Sequence, residues 1–330
     1  MTSSIDISRR SALGVVAAAA VLAIPGGRLF AQGAWPSKPV RMVLGYAPGG
    51  GSDVMARAVS QPLTDSLGQP IIVDNKPGAS GNIATVEVTR AAPDGYTLLC
   101  APTTQITANP HLFKMSSNPT ADLMPVAALG RFQHHLISKL DAPFKNVKEL
   151  IEYGRANPGK LTYASPGPGT SPHLVAEAFL SAAKIKALHV PYRGSGPVLQ
   201  AMLGGEADFA IDPGVSFPMV RTGKLNMLAI ASAKRPALFP DVPTLLESGV
   251  PNVEFDAWVG VWVPAGTPAD VITRLNSSLS KALVTPAVKE KYASLSGEAL
   301  YLDAAAFKEA IAREDREYSA LIKRLDIKIQ

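Results

Sequence analysis

The sequence has a single cysteine, Cys100, in 330 residues. No intrachain disulfide can form, and no cluster of thiolates can hold a metal. Its place in the apolar run Thr97 to Ala101 marks it as a small buried hydrophobe. No run of Lys and Arg occurs. The 32 basic and 27 acidic side chains give a net charge of +5, of which Arg9, Arg10, Arg28 and Asp6 in the first 31 residues contribute +2, leaving +3. So mild a balance gives no electrostatic reason to expect nucleic acid or an anionic membrane surface as a partner. Charged residues make up only 18% of the chain against 47% hydrophobic, which excludes intrinsic disorder.

Recognisable catalytic and cofactor signatures are also missing. There is no G-x-S-x-G elbow and no HExxH, and the third glycine of a G-x-G-x-x-G beginning at Gly167 and Gly169 is replaced by Pro172. Gly154 to Leu161 ends in Leu161 where a phosphate-cradling loop needs Ser or Thr, and it follows a helix where that motif must follow a strand. His134 and His135 are neighbours, so on a strand they face opposite sides. No catalytic residue, metal or cofactor is expected.

What is present begins with an address. Arg9 and Arg10 precede an apolar stretch, Leu13 to Ile24, of twelve residues, short of the ~20 that cross a bilayer. Leu29 and Ala31 then occupy a plausible cleavage site. Residues 1–31 read as a secretory signal. The arginine pair leaves the twin-arginine route open beside the general one. A mature protein in the periplasm is expected.

Beyond residue 31 the chain is long enough for two lobes, and strand and helix patterns alternate. Strands are expected at Val40 to Leu44, Ile71 to Val73, Thr97 to Ala101, Leu161 to Ala164, Ala187 to Val190 and Asp208 to Ile211. Helices are expected from Ser52, at Asn82 to Ala92, Val147 to Ala156, Pro172 to Ala183 and Pro197 to Leu203, and then at Pro268 to Leu283, Pro286 to Leu295 and Ala304 to Leu325. Ser52 is placed as a helix N-cap, and Pro62 should kink or split that helix. The alternation predicts an α/β chain of mostly parallel sheets flanked by helices. Val126 to Ser138 and Phe255 to Val263 look like bridges. This gives lobe I from 32–132 and 257–330, lobe II from 133–256, and a ligand cleft between them.

Two loops share one construction. Pro48 to Asp53 and Pro166 to Pro172 each lead from a strand into a helix N-terminus, where unpaired N–H groups and the helix dipole suit a carboxylate or phosphate. Ser52, Thr170 and Ser171 add hydroxyls. A third turn, Pro191 to Pro197, carries Arg193, which can meet an anion or solvent. Asp212 ends a strand, where it can cap a helix or accept from a ligand.

At these residues the chain resembles the Bug family, extracytoplasmic solute receptors of tripartite tricarboxylate transporters. The matching segments are WPSKPVRMVLGYAPGGGSDVMAR, VDNKPGASGNIATVEVTRAAPDGYTLL, YASPGPGTSPHLVAEAF, VPYRGSGPVLQAMLGGEADFAID and WVGVWVPAGTP. The resemblance implies a two-lobed, type II-like periplasmic-binding-protein fold that closes on a small di- or tricarboxylic, amino or aromatic acid. It also implies a monomer that delivers this ligand to membrane permease subunits. Carried onto this sequence, it places Ala47, Gly49, Gly50, Asp53, Gly169, Thr170 and Ser171 at the ligand, with Thr104 facing it; Tyr46 and Ser52 of the first loop, Arg193 and Asp212 complete the expected site. Phe132, His134 and His135 depart from the small residues expected there, which points to a larger or aromatic acid. The rival functions are a receptor serving a membrane sensor, and a hydrolase or isomerase using the same cleft.

Overall fold

The computed structural model describes residues 35–236, 238–255 and 257–329; the secretory segment lies outside them. Two sheets organise the chain. The first runs in the order β11-β4-β10-β3-β1-β2, with β1 Val40–Leu44, β2 Ile71–Asn75, β3 Thr97–Pro102, β4 Leu123–Phe132, β10 Ala257–Pro264 and β11 Gly297–Glu298. The second runs β7-β6-β8-β5-β9, with β5 His135–Lys139, β6 Leu161–Ser165, β7 Ala187–Pro191, β8 Phe209–Asp212 and β9 Leu225–Ile230. Val40, Met42, Val43 and Leu44 of β1 are all fully buried, as a strand covered by helices on both faces requires.

Both sheets are mixed, which corrects the expectation of mostly parallel strands. Strand β1 pairs parallel with β2 and β3, and β6 with β7 and β8. Strand β10 runs antiparallel between β3 and β4, and β5 antiparallel between β8 and β9. The exceptions are the strands at the crossings between sheets. β4 passes into β5 through Gln133 and His134 alone, and β10 returns the chain to the first sheet, so no crossover helix forces a parallel partner. β4, β5 and β10 fall on the two stretches expected as bridges, and β9 and β11 lie outside the expected strands.

The helix Gly51–Leu67 runs through Pro62 without a break. Its Met55, Val59 and Leu63 are fully buried, and the helix contacts the Ala269–Leu283 and Pro286–Ala293 helices as well as β1, β2 and β3; this packing outweighs the one ladder bond that proline removes. The last helix, Ala304–Leu325, joins both cores. Phe307 and Ile311 pack with Val43, Leu99 and Trp262 under the first sheet, while Tyr318, Leu321 and Ile322 pack with Leu136, Phe179 and Phe209 under the second. Cys100 is fully buried in β3, and burial pushes its thiol up to about 12, which makes it inert.

Candidate functional site

The loop after β1 is shaped by Asp53. Gly49, at φ 84°, turns the chain and donates its N–H to Asp53 Oδ2 at 3.0 Å. The same carboxylate accepts from Arg57 Nε at 3.0 Å and Asn75 Nδ2 at 3.0 Å. Burial works to raise this carboxyl, but the bonds from Arg57, Gly49 and Asn75 outweigh it and hold the group below its ordinary range. Asp53 therefore builds the loop and is not left over for a ligand. Ser52 is not the N-cap: Gly50 holds that position in extended conformation, with the helix starting at Gly51. No side chain caps this helix; Asp53 instead reaches back to the Gly49 N–H ahead of it, and Ser52 sits inside the first turn. The N–H groups of Gly51, Ser52 and Asp53 find no acceptor among the described residues.

The loop after β6 is built differently, because most of its donors are already engaged. Gly167 N–H donates to Ser165 Oγ at 3.1 Å, and Gly169 N–H to His173 Nδ1 at 3.1 Å. Thr170 gives Gly167 O both its N–H, at 3.3 Å, and its hydroxyl, at 2.7 Å. Pro168 and Pro172 have no N–H to give. Only Ser171 and His173 keep unaccepted N–H groups at this helix start, so the two loops are not the equivalents that their sequences suggest. Ser171 Oγ lies 3.0 Å from His134 Nε2, and His134 Nδ1 lies 2.8 Å from Phe255 O.

A cavity of about 50 Å³ separates the two helix starts, lined by Tyr46, Gly50, Gly51, Ser52, Pro102, Thr104, Phe132, Pro166, Thr170, Ser171, Pro172, Ser195, Pro213, Ala257 and Val259. No charged side chain is among them. Ser52, Thr104 and Ser195 are all nine-tenths buried or more, and their hydroxyls bond to no other described residue. The structure thus brings together Tyr46, Gly50, Ser52, Thr104, Thr170 and Ser171 of the expected site, and leaves the others outside the lining. Ala47 is half-buried and Gly49 exposed, with Asp53 and Gly169 engaged as above. Arg193 is exposed. Asp212 caps its own turn, accepting from Gly214 N, Ser216 N and Ser216 Oγ at 2.7 to 3.0 Å.

The two histidines do not line the cavity either. His134 stands behind Ser171, and His135 is held by Asp212 O at 3.2 Å and Ser296 Oγ at 3.1 Å. Only Phe132 forms a wall, so the case for an aromatic ligand loses two of its three residues.

Sequence reasoning missed Ser80. Ala79 and Ser80 hold left-handed backbone at φ 47° and 53°, an unusual cost for residues with a Cβ. Ser80 O accepts from Tyr46 Oη and Asn109 Nδ2, each at 3.1 Å. Its hydroxyl crosses the cleft to donate to Pro168 O at 2.5 Å. The flanking Gly78 and Gly81 were the available signal. Ser80→Ala is expected to keep the fold and release ligand about five times faster, the equivalent of one net hydrogen bond of ~1 kcal/mol. Stopped-flow displacement measures this, and an unchanged off-rate would show that the contact does not hold the lobes together.

A family model described as the tripartite tricarboxylate transporter family receptor matches residues 55–327. Protein BugT of Bordetella pertussis is 33% identical over 323 residues, covering 96% of this chain and 97% of its own. Rpa4515 of R. palustris, solved with adipate, has a TM-score of 0.86 at 29% identity over 89% of this chain and 99% of its own. MatC from Rhodopseudomonas palustris, solved with bound malate, has a TM-score of 0.84 at 30% identity over 87% of this chain and 100% of its own.

Proposed function

The chain belongs to the tripartite tricarboxylate transporter receptor family, and from that premise we propose that it is a periplasmic receptor that closes on one small carboxylate and passes it to the membrane subunits of such a transporter. Its fold is the two-lobed one of periplasmic binding proteins, and among the described residues no helix is long and apolar enough to cross a membrane.

One observation carries the proposal. The cavity has no charged side chain, yet it opens onto a helix N-terminus with three free N–H groups and onto the unpartnered hydroxyls of Ser52 and Thr104. Such a face offers a carboxylate donors and a helix dipole without a desolvated counter-ion. The similarity to proteins solved with adipate and malate supports the same ligand class. We place the lobes at 32–132 with 257–330, and at 133–256, closing about the two crossings between sheets.

A thermal-shift screen of the mature protein against mono-, di- and aromatic carboxylates tests this. A ligand at 100 times its dissociation constant should add about 2.7 kcal/mol to stability. A screen in which no carboxylate shifts the melt would refute the proposal.

The Ser171–His134 pair is the observation that favours the hydrolase reading. His134 Nδ1 faces the carbonyl of Phe255, the position at which a Ser-His-Asp arrangement holds its carboxylate. Ligand recovered after long incubation is expected to have an unchanged mass.

A further inference from the structure

We propose that the acid bound in this cavity carries a hydroxyl group, and that Ser171, oriented by His134, selects for it. The inference rests on the carboxylate reading above and adds the ligand's second functional group.

The argument is a count of protons. A carbonyl oxygen can only accept, so the contact of 2.8 Å with Phe255 O places a proton on His134 Nδ1. In the proposed arrangement the ring is neutral, so Nε2 presents a lone pair 3.0 Å from Ser171 Oγ, and the hydroxyl donates to it. Ser171 has one hydroxyl proton, and this bond uses it. Thr170 has likewise committed its own to Gly167 O at 2.7 Å. Both hydroxyl oxygens can therefore only accept from a ligand. At the same end of the cavity Ser171 keeps an N–H group that can only donate.

A face of this kind sorts ligand groups. A carboxylate accepts but cannot donate, so it would set its charge against the Ser171 lone pairs. An ammonium donates but cannot accept, and no charged side chain lines the cavity to balance it. A methylene does neither and leaves buried polar atoms unmet. An alcohol does both, accepting from an N–H and donating to Ser171 Oγ. The opposite end, with the N–H groups of Gly51, Ser52 and Asp53 and the free hydroxyls of Ser52 and Thr104, offers donors and takes the carboxylate. His134 is thus a positioning residue: it fixes which way the Ser171 proton points.

The test is calorimetric titration of the mature protein with matched acids that differ by one hydroxyl: malate and succinate, lactate and propionate, mandelate and phenylacetate. In whichever pair binds, the hydroxy acid is expected to bind about 10-fold tighter or more, and Ser171→Ala should reduce that ratio to about 3 or less. Equal or tighter binding of the unsubstituted acid to the wild type would overturn this inference and leave the carboxylate reading standing. Failure of every acid to bind would overturn both. Because Ser171→Ala leaves a buried ring nitrogen unmet, a second measurement uses the wild-type chain. Histidine-selective 15N NMR of the ligand-bound protein should find His134 protonated at Nδ1 and bare at Nε2, and a protonated Nε2 would contradict the assignment.

Discussion

Acidification from pH 7 to pH 5 is expected to lower the unfolding free energy by about 2 kcal/mol for each of the buried imidazoles His135 and His173, with a smaller loss from the partly exposed His189. Burial, with the charge of neighbouring His134 adding to it, brings His135 down to about 4 even though its bond to Asp212 O works the other way. Burial and then the charge of His189 bring His173 down to about 3, and burial alone brings His189 down to about 4. The unfolded chain binds these protons near pH 6.5 and the folded chain does not, so stability is fully present above that value. It falls as the pH drops toward 4 to 3. Asp53, with its carboxyl held low, adds to the loss at the acid end, whereas burial raises Asp212 against the pull of its own hydrogen bonds, so that residue opposes it. Denaturant melts between pH 7 and 4.5 should show a slope of two to three protons. His173→Asn should flatten it by about one. A pH-independent stability over that range would mean that the rings are protonated, and hydrated, in the folded state.

The second large effect concerns Gly51. A Cβ there would stand 2.8 Å from Phe132 Cζ and 3.0 Å from Cε2, and Phe132 is only 3% exposed, so its ring has little room to yield. Gly51→Val should force the ring and the helix start apart at the point where the cavity wall meets the carboxylate donors. Overpacking of this kind costs about 1 to 3 kcal/mol of stability. Losing the aligned N–H groups should weaken binding by about 100-fold or more. Gly49→Ala is the contrast: nothing lies within 4 Å of its Cβ, but its φ of +84° is strained for alanine. It should lose ~1 to 2 kcal/mol of stability and bind within a few-fold of wild type. Calorimetry paired with melts separates the two, and Gly51→Val binding like wild type would mean that the ligand does not use this helix start.

The contrast between Ser52 and Ser171 shows how far the sequence could be read. Local periodicity places the helices Val147–Ala156 and Ala304–Leu325 at their observed bounds, where the structure shows Asn146 and Asp303 accepting from the N–H groups of Glu149 and Ala306. Both strand-to-helix loops were legible for the same reason, since glycine and proline mark turns locally. The direction of the hydroxyl protons was not. The Ser52 hydroxyl bonds to no other described residue, while Ser171 is engaged because His134 arrives from the link between β4 and β5, 37 positions away in the chain. Ser80 meets Pro168 across 88 positions. Contacts of this kind depend on how the two sheets face each other, and no pattern along the chain encodes them.

The central claim is that a carboxylate sits on the N-terminus of the Gly51–Leu67 helix. A crystal structure of the mature protein with a carboxylate identified by the screen tests it most directly. The account predicts carboxylate oxygens within hydrogen-bonding distance of the N–H groups of Gly51 and Ser52 and of the Ser52 and Thr104 hydroxyls, with Arg193 remaining in solvent. A carboxylate paired with the Arg193 guanidinium, with the first helix start unoccupied, would contradict it.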